Sequence, residues 1–164
     1  SGAIGRSPDS TKRSPSSASC PREPLIKFEA PMTLTRADVQ AWLDRYVAAW
    51  ASYDPEAIRD LFAEDAEYRY HPWDEPTSGR ESIVHDWLEP SGPASARDEP
   101  GTWAARYEPY AVDGDRAVAI GETVYFADAT QTTELRRYAN SWLLAFDDDG
   151  RCREFVEYFM KVKR

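Results

Sequence analysis

This chain has little that would serve a redox cofactor, a metal or a polyanion. It holds only two cysteines, Cys20 and Cys152, and two histidines, His71 and His85. One cysteine stands in a polar leading stretch and the other in an alternating apolar run, so no structural disulfide is expected. Reduced cysteines suit a cytoplasmic protein. No Cys/His cluster has zinc spacing, so no metal is expected. The glycines form neither a phosphate-cradling loop nor a dinucleotide fingerprint, so no cofactor is expected either. Positive charge is scarce: 20 Lys and Arg stand against 29 Asp and Glu, a formal net charge of -9. Phosphate backbones and anionic lipid surfaces need a basic face, which argues against nucleic acid and membrane as partners. No apolar run approaches the roughly 20 residues of a spanning helix. The polar start lacks the apolar segment of a secretory signal.

What is present divides in two. Residues 1–31 hold seven serines and five prolines with scattered charge. Such a composition cannot offset the entropy of ordering, so this tail is expected to be disordered. Within it, Leu25-Ile26-Lys27-Phe28 is the one segment apolar enough to dock. Met32 precedes a clean domain start and is a candidate first residue of the native protein. Residues 32–164 are long enough for one domain with its own core, and they carry the acidic excess.

The domain opens on helical periodicity. From Thr35 to Tyr53, Val39, Trp42, Leu43, Tyr46, Val47, Trp50 and Tyr53 recur at helical spacing, and Thr35 with Asp38 forms a short capping box. Asp54-Pro55 is a cap and first turn for a second helix reaching Phe62. Ala66 to His71 reads as a strand with Tyr68 and Tyr70 on one face, closed by Pro72. The loop His71-Pro72-Trp73-Asp74-Glu75-Pro76 concentrates polar groups between two prolines. Glu81 to Leu88 reads as a third helix that turns Trp87 inward. A polar connection, Pro90 to Gly101, follows. Then come four long strands: Thr102 to Val112, Arg116 to Ala127, Leu135 to Phe146 and Arg151 to Val162. Asp113-Gly114 and Asp147-Asp148-Asp149-Gly150 are the hairpin turns.

The last hairpin carries the chemistry. Tight pairing about its turn sets Trp142 opposite Phe155, Asn140 opposite Glu157 and Tyr138 opposite Phe159, all on one face. A face built only for packing needs neither the amide nor the carboxyl. On Arg116 to Ala127, the run Val118, Ile120, Glu122, Val124, Phe126 again sets a lone carboxyl among apolar residues. If the two faces align, Glu122, Glu157 and Asn140 share a pocket walled by Trp50, Tyr53, Tyr68, Tyr70, Trp87, Trp103, Tyr138, Trp142 and Phe155.

Several segments together resemble the SnoaL-like branch of the nuclear transport factor 2-like superfamily. They are Trp50-Ala51-Ser52-Tyr53-Asp54-Pro55, Leu61-Phe62-Ala63-Glu64-Asp65-Ala66, Gly79-Arg80-Glu81-Ser82-Ile83, Val112-Asp113-Gly114-Asp115 and Phe146-Asp147-Asp148-Asp149-Gly150-Arg151. The resemblance spans Leu34 to Val162. It implies an α+β cone: three N-terminal helices packed on a curved, mixed but mostly antiparallel sheet, with an internal pocket. It also implies a homodimer packed through the outer sheet face. Its members include isomerases, cyclases, epoxide hydrolases and binding proteins, so the fold leaves function open. The Asp-Arg-Asp arrangement of the epoxide hydrolases has no equivalent here.

Three readings follow. The first is a protein that binds a small apolar or partly oxygenated molecule in the pocket. The second is an acid–base enzyme in which Glu157 or Glu122 is the base, with His71, Asn140 or Tyr138 as donor to a developing oxyanion. The third is a dimeric interaction module whose buried polar groups satisfy each other. Arg80, Arg136 and Arg137 are available to an acidic ligand, although solvation is the ordinary state of such residues.

Overall fold

A computed structural model describes residues 33–89 and 97–163 of the chain. The leading tail, its Leu25–Phe28 segment and most of the connection after the third helix lie outside the described residues.

Three helices precede most of the sheet. The first, α1, spans Arg36–Ser52. Its start follows from chemistry at the cap: the Thr35 hydroxyl accepts from the Asp38 amide, and the Asp38 carboxylate accepts from the Thr35 amide. Val39, Trp42, Leu43, Tyr46 and Ala49 form its buried stripe. The helix ends at Tyr53 in the left-handed region, φ 49°, which is an uncommon place for a bulky residue. Helix α2 is Pro55–Arg59, capped by Asp54, and α3 is Arg80–Leu88.

The sheet has six strands: β1 Phe62–Arg69, β2 Thr77–Ser78, β3 Trp103–Asp113, β4 Arg116–Phe126, β5 Glu134–Phe146 and β6 Cys152–Lys161. Their order is β2-β1-β6-β5-β4-β3. Among the described residues, only β1 with β6 is parallel. The α+β class, the three helices and the curved, mostly antiparallel sheet are as expected. Two elements differ. The second helix stops short of Phe62, because Phe62 is fully buried as the first residue of β1, paired with Cys152. Burial of an aromatic ring outweighs helical continuation there. The two-residue β2 had no signal in the sequence, being too short for alternation to register.

The last hairpin forms about the expected turn, but in a different register. Trp142 pairs with Glu157, Asn140 with Phe159 and Tyr138 with Lys161, whereas Phe155 pairs with Leu144. Two single-residue offsets add up to it: the turn closes with Phe146 on Cys152, one residue beyond Arg151, and a bulge then sets the next residue, Ala145, opposite Glu154. The Asp147 carboxylate accepts from the Asp149 and Arg151 amides and so shapes the loop. The slip amounts to two residues, so every side chain keeps its expected face.

The concave face packs against α1. Trp42, Tyr46, Trp142 and Phe155 interlock there, with Tyr46 and Phe155 stacked at 5.5 Å. Tyr107 lies 3.8 Å from Trp142, nearly parallel to it. Gly121 makes room for that ring: a Cβ there would fall 2.2 Å from the Arg106 carbonyl oxygen and 2.4 Å from Tyr107 Cδ1.

Candidate functional site

Strand alternation sends Tyr138, Asn140 and Trp142 of β5 and Phe155, Glu157 and Phe159 of β6 to the concave face. Toward the turn this face is filled. Trp142 and Phe155 are fully buried, as are Tyr68 and Trp87. Phe155 stacks on Tyr68 at 4.3 Å, and Trp87 meets Tyr46 edge-on. These four rings were expected to wall a pocket; in the structure they pack on one another as core.

Further along the same strands the face opens. Tyr70 and Phe159 are 40% and 41% exposed, and Tyr138 and His71 are half-buried. The rings contact in a series: Tyr125 meets Tyr138 at 6.1 Å, Tyr138 meets Phe159 at 5.5 Å, and Phe159 meets His71 at 5.2 Å. Tyr70 leans on Tyr68 at 4.7 Å. His71 in turn stacks on Trp73 and shares a 2.8 Å hydrogen bond with Asp74 through Nδ1.

Glu157 sits where the filled part meets this open rim. Its Oε1 accepts from Asn140 Nδ2 at 2.7 Å and from Trp142 Nε1 at 3.0 Å. No described donor reaches Oε2. Asn140 Oδ1 is shut off from water and has no hydrogen-bond partner among the described residues. Burial pushes the Glu157 carboxyl above its ordinary value, while the two N–H donors and the nearby His71 hold the rise back. The rise is what a carboxylate stripped of water should show. Burial likewise raises the phenol of Tyr70, with Asp86 and Glu157 adding to the effect.

Glu122 does not join this group. It lies on the opposite face of β4 from Thr123 and Tyr125, is exposed, and bonds to Arg137 at 2.7 Å. Arg137 also holds Glu134. The side-chain period of two gives the reason: the β4 residues opposite Leu144, Trp142, Asn140 and Tyr138 are Ala117, Ala119, Gly121 and Thr123, so the more apolar alternation is the outer one.

Trp50 and Trp103 stack at 3.9 Å. Trp50 Nε1 donates to Asp98 at 3.1 Å, and the Tyr53 hydroxyl accepts from the Asp98 amide at 3.0 Å. Burial raises the Asp98 carboxyl, opposed by the Trp50 bond and by Arg136. Asp98 was not among the expected site residues; it stands in a polar connection with no periodicity to single it out. Among the described residues, no group of three or more His, Cys, Asp or Glu is placed to hold a metal. Two surface depressions lie elsewhere. One of about 330 Å³ runs between α1 and β3, and another of about 450 Å³ lies by the Asp149-Gly150 turn; neither reaches Glu157.

Comparison with known proteins agrees with this architecture. Residues 43–155 match the family model described as a SnoaL-like domain. A search of curated proteins returned no significant match. Among solved structures, one similar fold is a crystal structure described as a "putative ketosteroid isomerase from Kribbella flavida". It aligns with a TM-score of 0.54 and 18% identity over 79% of this chain and 82% of that one. At that identity the likeness is one of fold.

Proposed function

This chain belongs to the SnoaL-like domain family, and from that premise we propose that it binds a small, mostly apolar molecule at the aromatic rim around Glu157. Small-molecule binding is common among such domains. The observation that carries the reading is the half-used carboxylate. Glu157 is drawn out of water and anchored through Oε1 alone, which leaves Oε2 for an occupant. Oε2, which is not sealed from water, is the oxygen an occupant can reach. Exposed faces of Tyr70, Phe159 and Tyr138 supply the apolar contact. The Trp142 indole N–H reports directly on the carboxylate it touches. A neutral aromatic fragment should therefore shift the Trp142 indole resonance. Fragments that shift only resonances of the outer sheet face would end the proposal.

A second reading rests on the same carboxyl. Raised basicity and a free oxygen suit Glu157 to take a proton from carbon beside a carbonyl. Asn140 Nδ2 is already committed to Glu157, so His71 or Tyr138 is the donor left for a developing oxyanion. The similar fold described as an isomerase lends this reading a precedent of architecture alone. The outer sheet face supports self-association: Leu143, Tyr158 and Met160 are exposed on it at 42%, 45% and 73%. A homodimer through that face should dissociate on Met160→Lys, read by sedimentation; a monomeric wild type would exclude it.

A further inference from the structure

We infer that the occupant of the Glu157 rim carries a protonated amine, set against an apolar body; this rests on the binding reading above. The argument is a census of what the rim offers. Its unmet groups are acceptors. Glu157 Oε2 has no described donor, and Asn140 Oδ1 is buried without one. Asn140 Oδ1, shut off from water, costs on the order of 1–3 kcal/mol unpaired, which an arriving donor recovers. Oε2 is not sealed from water, and what an arriving cation gains there comes from its charge. A hydroxyl brings one donor, whereas an ammonium brings three with a full positive charge. Seated at Oε2, it lies beside the amide that Oε1 holds.

The surrounding charge favours the same group. Asp86 and Asp98 act on the tyrosines of the rim, as Glu157 does. Three basic side chains stand close: His71, Arg136 and Lys161, the last exposed and paired with Tyr138 across the two strands. His71 is tied to Asp74, and the Arg136 guanidinium lies over the Tyr125 ring at 4.1 Å. Arg137 is turned to the other face by Glu122 and Glu134. Among the described residues, no guanidinium or lysine is hydrogen-bonded to Glu157. The walls suit a cation too, because the faces of Tyr70, Tyr138 and Phe159 carry partial negative charge. A carboxylate ligand would meet Glu157 with like charge and leave both acceptors unmet. The arrangement therefore selects an arylalkyl or alkyl amine over its alcohol or acid.

The test uses three probes with one ring and three heads: 2-phenylethylamine, 2-phenylethanol and phenylacetate. Each is titrated against the full chain, with the Trp142 indole N–H as readout. The amine should bind about tenfold or more tightly than the alcohol, with phenylacetate weakest. Glu157→Gln should remove the amine's advantage. Should that variant fold poorly, the wild type is titrated again in about 0.5 M salt, which screens loose attraction to an acidic surface but not contact with a half-buried carboxylate. Persistence of the preference in salt supports the inference. Loss in salt, or equal binding of amine and alcohol, overturns it. If the alcohol alone binds, the rim remains a binding site and only the ammonium is wrong. If none of the three moves the indole, the binding reading falls as well.

Discussion

The two faces of the sheet each carry a glutamate set among apolar neighbours, and they treat it in opposite ways. Glu122, on the outer face, remains in water and pairs with Arg137. Such a pair contributes little, because solvent already stabilises both charges. Glu157, on the inner face, has given up water for two N–H donors on one oxygen, and its proton affinity has risen accordingly. Position relative to α1, rather than the local run of residues, sets the difference. The inner face itself is graded. Trp142 and Phe155 are sealed by α1, while Phe159, four residues beyond Phe155, is 41% exposed. Chemistry sits at the boundary between the two parts, where a carboxyl can be both desolvated and reachable.

The largest effect should separate the filled part from the rim. Phe155→Ala removes a ring stacked on Tyr46 and Tyr68 and should cost about 3–5 kcal/mol. Phe159→Ala should cost under about 1 kcal/mol. Thermal unfolding followed by circular dichroism compares them; similar losses would mean that the rim is as closed as the core.

A finer contrast lies between the two glutamates. Burial raises the Glu157 carboxyl from its ordinary 4.5 in the folded state. The folded protein therefore holds that proton more tightly than the unfolded chain does. Stability from this group is present below the ordinary value and is lost as pH rises through the raised one. Glu157→Gln lacks that loss, so its stability relative to wild type should climb as pH rises from the ordinary 4.5 through the raised value, and level off beyond it. Carboxyls held low by their partners, such as Glu81 beside Arg59, act in the opposite sense but cancel between variant and parent. Glu122→Gln should stay within about 0.5 kcal/mol of wild type near neutral pH. A flat difference for Glu157→Gln, or a matching slope for Glu122→Gln, would erase the distinction between the faces.

Much of this was legible in the residues. Caps, helical stripes and Gly-bearing turns are local chemistry, so α1, α3 and the four long strands stand close to where their patterns placed them. The alternation of Tyr138, Asn140 and Trp142 against Phe155, Glu157 and Phe159 put all six on one face. A two-residue slip could not undo that, because the period of a strand is two. Three things needed the folded chain. The pairing beside the turn decided that Asn140 reaches Glu157 diagonally rather than from directly opposite, and that Trp142 takes the opposite place and donates to the same oxygen. The register of β4 on β5, with Gly121 rather than Glu122 opposite Asn140, decided which face of β4 is interior, and with it the separation of Glu122 from Glu157. Long-range convergence brought Asp98 to Trp50 and Tyr53, residues some 45 positions away. Burial is a property of what covers a residue, and what covers these residues comes from elsewhere in the chain.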